Sequence, residues 1–447
     1  MKKVALVLAT VAAATVFAPE ASAVPVFARQ TGMACSACHY QHFPLLNGFG
    51  RAFKAAGFTM MGAQGKVESE EGTGLSIPDR LNMAVLTSTY YQQESGDTSG
   101  TDGKKSVWGV PGAGGELSLF YGGRVSEFAG FLSELGLAGG QTADTPTGTT
   151  TGAVSSATGA AKLPILFPVG DARVGLVAYT GGQGAAYSFE LLNTGAADTH
   201  KMMGNAGANK QHAAAAYAGS YLGTRVDATG LSVVANNSMG FLVLGQYAAA
   251  GPGTGNASAL PLTYIRAATT MDLAGWDAGF GIQNFSGDQQ SLLPAGTAPQ
   301  PVYAATIIDA QLQGELAGME TGFYVTYGTA PANANGNVMA GGWSTLNKGG
   351  HYTTTSLGAA SSLNVATSVE VIHHVMTLQA AARMASIDHT GTNALTDNAI
   401  MVGATYELAQ NVELGLNYTT QSGTAWDDAG ADVRGKDMTT LLLEVLF

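Results

Sequence analysis

Cysteine and charge are both scarce in this chain. Cys35 and Cys38 are the only cysteines among 447 residues, which excludes a disulfide-stapled fold and any zinc site built on four thiolates. Charged residues make up 12% and the formal net charge is −12, so there is no basic surface for nucleic acid. Beyond residue 23 no apolar run reaches the ~18 residues of a transmembrane helix. No G-x-S-x-G with triad partners occurs, and no phosphate-binding loop follows a strand pattern. Hydrolase and nucleotide-binding chemistry are left without their usual residues.

What is present begins with a leader. Lys2 and Lys3 precede an apolar stretch from Val4 to Phe17, and Ala21-Ser22-Ala23 is a small-residue cleavage site. The pattern predicts a secretory signal over 1–23 and a mature chain from Val24, outside the cytoplasm; a buried N-terminal helix is the alternative.

The two cysteines fall in MACSACHYQHFP, residues 33–44. In an exported chain they could form a disulfide, act as a redox dithiol, or supply part of a zinc site completed by histidines. Cys35-x-x-Cys38-His39 is also the attachment pattern of a c-type haem. Two thiols three residues apart can each form a thioether to one porphyrin vinyl group, and His39 is then the proximal iron ligand. The expected cofactor is one covalent haem c.

The flanking segment suits a very small haem-binding unit. Phe43-Pro44 reads as a helix start with Pro at the first helical position. Leu45, Leu46, Phe49 and Phe53 then share one helical face, and Gly57 is a C-terminal cap. Residues 24–62 contain Arg29, Arg51 and Lys54 and no carboxylate. These three are candidate partners for haem propionates, or simply solvated cations. Met60 and Met61 are candidate distal ligands, since the chain could return there to the far side of the iron. A ligand from elsewhere, or none, is the alternative. His42, three residues after His39 on the same helical face, is badly placed for that role.

The rest of the chain repeats segments of about ten residues with alternating character, separated by Gly, Asn, Asp or Ser. Examples are 116–128, 172–182, 186–195, 240–249, 319–328, 400–420 with a turn at 409–411, and 439–447. Polar stretches at 92–114, 139–160, 194–211, 286–299 and 330–350 read as loops on one side. The chain ends on Phe447 after alternating Leu441, Leu443 and Val445. The expectation is an all-β fold: a porin-like transmembrane antiparallel β-barrel of about 16 strands, preceded by a small α-helical c-type cytochrome segment. A secreted β-sandwich or β-helix is the alternative. The expected domains are the signal 1–23, the cytochrome segment with its linker 24–74, and the barrel 75–447, placed in the bacterial outer membrane among its lipids.

Residues 27–62, with Phe27-Ala28-Arg29-Gln30-Thr31-Gly32, Cys35, Cys38, His39, Phe43-Pro44, Phe49-Gly50-Arg51, Phe53-Lys54 and Gly57, resemble the N-terminal segment of the fused monohaem cytochrome–porins. The best-known members of that family are the outer-membrane iron oxidases of iron-oxidising bacteria. Ile77-Pro78, expected at the start of the first strand, is similar too. For the barrel the resemblance is architectural only. It implies electron transfer at the outer membrane through one haem: oxidation of extracellular Fe(II), with electrons passed to a periplasmic c-type cytochrome or other carrier, and thus an iron-oxidising oxidoreductase. A conduit serving a different donor or acceptor is the alternative, and a diffusion porin whose CxxCH is a disulfide is a third reading.

Charge is compatible with a cationic donor. The chain has 20 Lys and Arg and 32 Asp and Glu. The leader takes Lys2, Lys3 and Glu20, and residues 24–62 take three cations, leaving 15 against 31. Such a surplus concentrates cations locally, although acidic loops are common on bacterial surfaces. His200, His212, His351 and His389 are scattered. His373 and His374 are expected on opposite faces of one strand, unable to share a metal.

Overall fold

A computed structural model describes residues 25–62, 64–69, 74–95, 104–137, 158–195, 217–224, 227–249, 258–294, 296–341, 358–388, 394–424 and 436–447. Two short strands, β1 (Lys66–Glu68) and β2 (Ser76–Pro78), form a separate hairpin. Ile77-Pro78 therefore lies in this hairpin and not at the start of the barrel, whose first strand is β3 (Met83–Ser95). Next come β4 (Lys104–Pro111), β5 (Gly114–Gly115), β6 (Leu117–Arg124), β7 (Gly130–Gly136), β8 (Thr158–Val169) and β9 (Ala172–Thr180). They are followed by β10 (Thr229–Asn237), β11 (Gly240–Ala248), β12 (Leu262–Leu273), β13 (Trp276–Ser286), β14 (Ala305–Leu316) and β15 (Met319–Ala330). The last are β16 (Ala360–Ile372), β17 (Met376–Ile387), β18 (Leu395–Ala409), β19 (Val412–Ser422) and β20 (Asp437–Leu446).

Strands β3 to β20 close on themselves, with β20 antiparallel to β3. Along its other edge β3 pairs with β6 through Met83–Thr87 and with β4 through Tyr90–Ser95. The segments β4, β5 and β6 thus make one interrupted strand, and among the described residues the eighteen segments form a 16-strand barrel. Closure is completed at the C-terminus, where the Phe447 and Val85 backbones exchange hydrogen bonds of 2.6 and 3.0 Å.

The alternation along the strands is inverted relative to a soluble protein. Inward positions are polar and buried, such as Gln92, Arg266, Gln311, Asn364, Thr419 and Glu444. Outward positions are apolar and exposed, such as Leu244, Ile282, Ile308, Val365, Ile400 and Leu443. Large aliphatic side chains facing out around a closed ladder match a hydrocarbon surround, where all backbone groups must be paired internally. Aromatic pairs stand toward both ends of the wall, Trp276 with Phe323 (5.8 Å) and Tyr91 with Trp108 (4.7 Å).

One end carries tight turns. Ala274-Gly275 joins β12 to β13 and Ala317-Gly318 joins β14 to β15, all four residues at positive φ, the backbone that two-residue hairpins need. The expected turn at 409–411 joins β18 to β19, with Asn411 at φ 63°. Phe447 and the start of β3 lie at this same end.

Two sequence readings are corrected. The stretch 92–114 is not one loop, because β3 runs to Ser95 and β4 covers 104–111. Polarity there reflects a lumen-facing wall: buried Gln92 accepts from Thr440 Oγ1 at 3.3 Å. Nor is 186–195 a strand. It belongs to the connection from β9 to β10, and these residues fold back inside the barrel and bury Phe189, Leu191 and Leu192. Its alternation fits the interior of the lumen instead of a wall. Glu190 meets Arg266 at 2.9 Å, Thr194 donates to Asp309 at 2.6 Å, and the Asn193 amide donates to Gln311 at 2.7 Å.

Candidate functional site

The CxxCH residues lie in a compact segment of two short helices, Pro25–Thr31 and Gly48–Ala55, around a one-turn 3-10 helix at Cys35–Ala37. The backbone amides of Cys38 and His39 both donate to the Cys35 carbonyl, at 3.0 and 2.9 Å. This turn carries both cysteines, and His39 follows it directly in the chain. Both cysteines are half-buried free thiols. Burial pushes Cys35 up to about 12, with the Glu407 carboxylate adding to the rise, and burial also raises Cys38. Both therefore stay protonated near neutrality.

Burial pushes His39 down to about 4, so the ring is neutral. Its Nδ1 lies 3.0 Å from the Leu45 carbonyl. A neutral ring donates its N–H there and presents a bare Nε2 as a ligand atom. An antiparallel bridge between His39 and Leu46 fixes the return of the chain.

The helix after the motif starts later than the sequence suggests. Phe43-Pro44 sits in a turn, and the helix begins at Gly48. Asn47 is the reason. Its Oδ1 accepts from the Gly50 amide at 2.9 Å, a helix N-cap. Its Nδ2 donates back to the Ala37 and Ser36 carbonyls at 3.1 and 3.3 Å, clamping helix to motif. The expected cap at the other end holds. Gly57 has φ 71°, its amide donates to Lys54 and the Phe58 amide to Phe53, a Schellman closure. Phe27, Phe53 and Phe58 form the segment's own core, with centroids 4.8–5.9 Å apart. Among its described residues, Met33 and Phe49 are the large apolar side chains left exposed, at 37% and 40%.

The candidate cations have protein partners. Arg29 donates to the Met83 carbonyl at the start of β3. Arg51 pairs with Asp277 and donates to Gln313 at 3.2 Å. Burial lowers the Lys54 pKa, while Glu190 acts to raise it. These residues dock the segment against the wall and the inner loop. Met60 and Met61 stand beside the first helix, where buried Gln30 donates to the Phe58 and Met60 carbonyls, each at 2.7 Å.

The docking contacts place the segment inside the short-turn mouth. Tyr40 donates to the Gly314 and Thr321 carbonyls at 2.8 and 2.9 Å, and Gln41 to Glu320 at 2.8 Å. His42 is not on a helical face with His39. Its Nε2 accepts from Gln379 at 2.9 Å on the wall. Asn193 of the inner loop donates to the Leu46 carbonyl at 3.0 Å. Tyr40, Gln41, Asn47 and Gln30 carried no recognisable signal except for Asn47, whose type and place before Gly48 fit an N-cap.

His373 and His374 are not on opposite faces of a strand. They form the turn between β16 and β17, with His374 at φ 55° and ring centroids 3.8 Å apart. Both face buried Glu370. His200, His212, His351 and His389 lie outside the described residues.

No protein-family model matches the chain, and no curated protein matches it. Solved structures similar to it include the outer membrane protein OmpT of Vibrio cholerae (10% identity, 82% of this chain and 99% of that one, TM-score 0.47). Others are the outer membrane channel DcaP of Acinetobacter baumannii (11%, 85% and 99%, TM-score 0.43) and OccK9 of Pseudomonas aeruginosa (11%, 82% and 97%, TM-score 0.43). Likeness at this level carries no functional meaning.

Proposed function

We propose that this chain is an outer-membrane electron-transfer protein. In this reading Cys35 and Cys38 carry one haem c by thioether bonds, His39 Nε2 ligates its iron, and the extracellular donor is Fe(II). The observation that carries the reading is the geometry of the motif: two thiols on one 3-10 turn beside a neutral imidazole held by Leu45. That donor set fits the group, and exposed Met33 and Phe49 flank the motif in the chain. The resemblance of residues 27–62 to the cytochrome–porins supports iron as donor. The outward apolar belt supports the membrane, and tight turns face the periplasm in barrels of this kind.

A haem c held there supplies one-electron exchange at the periplasmic mouth. The protein's own parts divide the remaining work. His39 holds the proximal position, with its tautomer fixed by Leu45. Tyr40, Gln41 and Arg51 seat the segment against the wall. The described residues of the inner loop and this segment both lie in the lumen and meet at Asn193 and Leu46. Each Fe(II) gives up one electron and becomes Fe(III), and one periplasmic carrier, a c-type cytochrome in this reading, accepts it. The hydrocarbon core is about 30 Å thick, so a donor must approach through the acidic, polar-lined barrel from the long-loop side.

The test is anaerobic mixing of the oxidised, detergent-solubilised protein with Fe(II), followed at the haem absorbance bands. Rapid reduction, lost in His39→Ala, is the expected result. A haem that is present but stays oxidised removes iron as donor and leaves a conduit for another donor or acceptor. A purified protein with no covalent haem overturns the electron-transfer reading and leaves a diffusion porin.

A further inference from the structure

The turn between β16 and β17 assembles a cluster that the proposed electron path does not use. Glu370 is inward-facing, and its side chain is only 2% exposed. His373 Nδ1 lies 2.8 Å from Glu370 Oε2, and His374 Nδ1 lies 3.7 Å from Glu370 Oε1. The His374 backbone amide also donates to Oε1 at 2.8 Å, which fixes the carboxylate's orientation. The two imidazoles are 70% and 50% exposed, so the cluster opens to solvent on one side. One ligand atom from each residue falls within 4.8 Å of the others.

We propose that Glu370, His373 and His374 bind a divalent first-row transition-metal ion at the short-turn rim of the barrel. Two imidazoles and one carboxylate are the donor set that Zn(II) and Fe(II) take, with remaining positions left to water. A metal–ligand distance of about 2.0–2.2 Å needs donor atoms about 3 Å or slightly more apart; the two imidazole–carboxylate separations, 2.8 and 3.7 Å, lie on either side of this, and all three ligand atoms fall within 4.8 Å. The ion replaces the proton between His373 and Glu370, and a small ring rotation brings in His374. Burial argues in the same direction. A carboxylate removed from water is costly without a compensating charge, and Glu315 and Glu320 of the neighbouring hairpin stand within electrostatic reach of His373. The excess of negative charge at this rim calls for a cation.

The site touches the plug through its neighbours. Gln41 donates to the Glu320 carbonyl and, at 3.4 Å, to that of Ser368, two residues before Glu370. An ion there ties the β16–β17 turn to the strand that Gln41 grips. The site does not rest on the haem reading, since none of its ligands belongs to residues 25–62.

The experiment uses the full-length protein, stripped with chelator in detergent and titrated with Zn(II) by calorimetry. Bound zinc is counted by elemental analysis after desalting. The His373→Ala/His374→Ala double variant is expected to bind one zinc fewer per chain, with Glu370→Gln weakening binding at least tenfold. Zinc-edge X-ray absorption of the wild type is expected to show imidazole scattering. Boiling-dependent gel mobility of each variant reports whether the barrel is folded. No zinc retained by the wild type, or equal zinc retained by wild type and folded double variant, overturns the proposal and leaves an ordinary histidine–carboxylate contact. If the double variant does not fold, the wild-type stoichiometry and the Glu370→Gln titration decide the matter.

Discussion

At the scale of single residues, the proposed haem gives Cys35, Cys38 and His39 separable tasks. Replacing both cysteines by serine is expected to abolish haem staining on a denaturing gel while the barrel keeps its heat-modifiable mobility, because neither thiol contributes to the wall. Haem staining that survives this change would contradict thioether attachment. Asn47 works differently. It caps the Gly48–Ala55 helix and holds the Ser36 and Ala37 carbonyls, so Asn47→Ala removes a cap worth about 1 kcal/mol together with the clamp on the motif. The expected outcome is a lower thermal midpoint for loss of the haem spectrum, with the barrel's own heat modifiability unchanged. Arg51→Ala is expected to loosen docking by about 1.5–3 kcal/mol, the range for a hydrogen bond to a charged group, because Asp277 and Gln313 lose their shared partner. Proteolytic cleavage within 25–62 should then become faster.

At the scale of elements, the fit of the helix against the motif turns on a missing side chain. A Cβ at Gly50 would fall 2.1 Å from the Cys38 carbonyl oxygen, whereas one at Gly48 meets nothing closer than 3.5 Å. Gly50→Ala is therefore expected to displace the helix from the CxxCH turn and reduce haem incorporation, and Gly48→Ala to leave it close to normal. Equal incorporation in both would show that this packing does not matter. The wall makes a matching concession at Gly130, where a Cβ would fall 1.9 Å from the Gly57 carbonyl. Both glycines allow backbone to approach backbone, which no larger residue permits.

At the scale of the whole molecule, the barrel is a scaffold whose interior holds two described stretches of its own chain. The β9–β10 connection is held by a buried network in which Arg266 is paired with Glu190 and Asp309. The N-terminal segment docks in the short-turn mouth and meets that connection at Asn193. In planar bilayers the intact protein is expected to conduct weakly. A variant lacking residues 26–62 should conduct several-fold more, because the short-turn mouth is then open. Conductance unchanged by that deletion would mean that the segment does not obstruct the lumen.

The sequence by itself determined the barrel's character. A period of two with apolar residues on one face and turn residues at intervals require that face to meet lipid or a core, and counting such segments, with the even number that barrels favour, gave about 16 strands. The CxxCH spacing and the Gly57 cap were equally local, since each depends on residues within a few positions. Only the tertiary structure decided the rest. The segment 186–195 alternates like a strand, yet lies in the lumen, because a polar interior accepts the same pattern without strand pairing. The polar residues of β3 read as a loop, although a lumen-facing wall is polar too. His373 and His374 looked divided between two faces until a turn brought them to Glu370. The side on which the motif sits was hidden as well. It depends on contacts such as Tyr40 with Gly314, across 274 residues, and no local pattern encodes partners so distant in the chain.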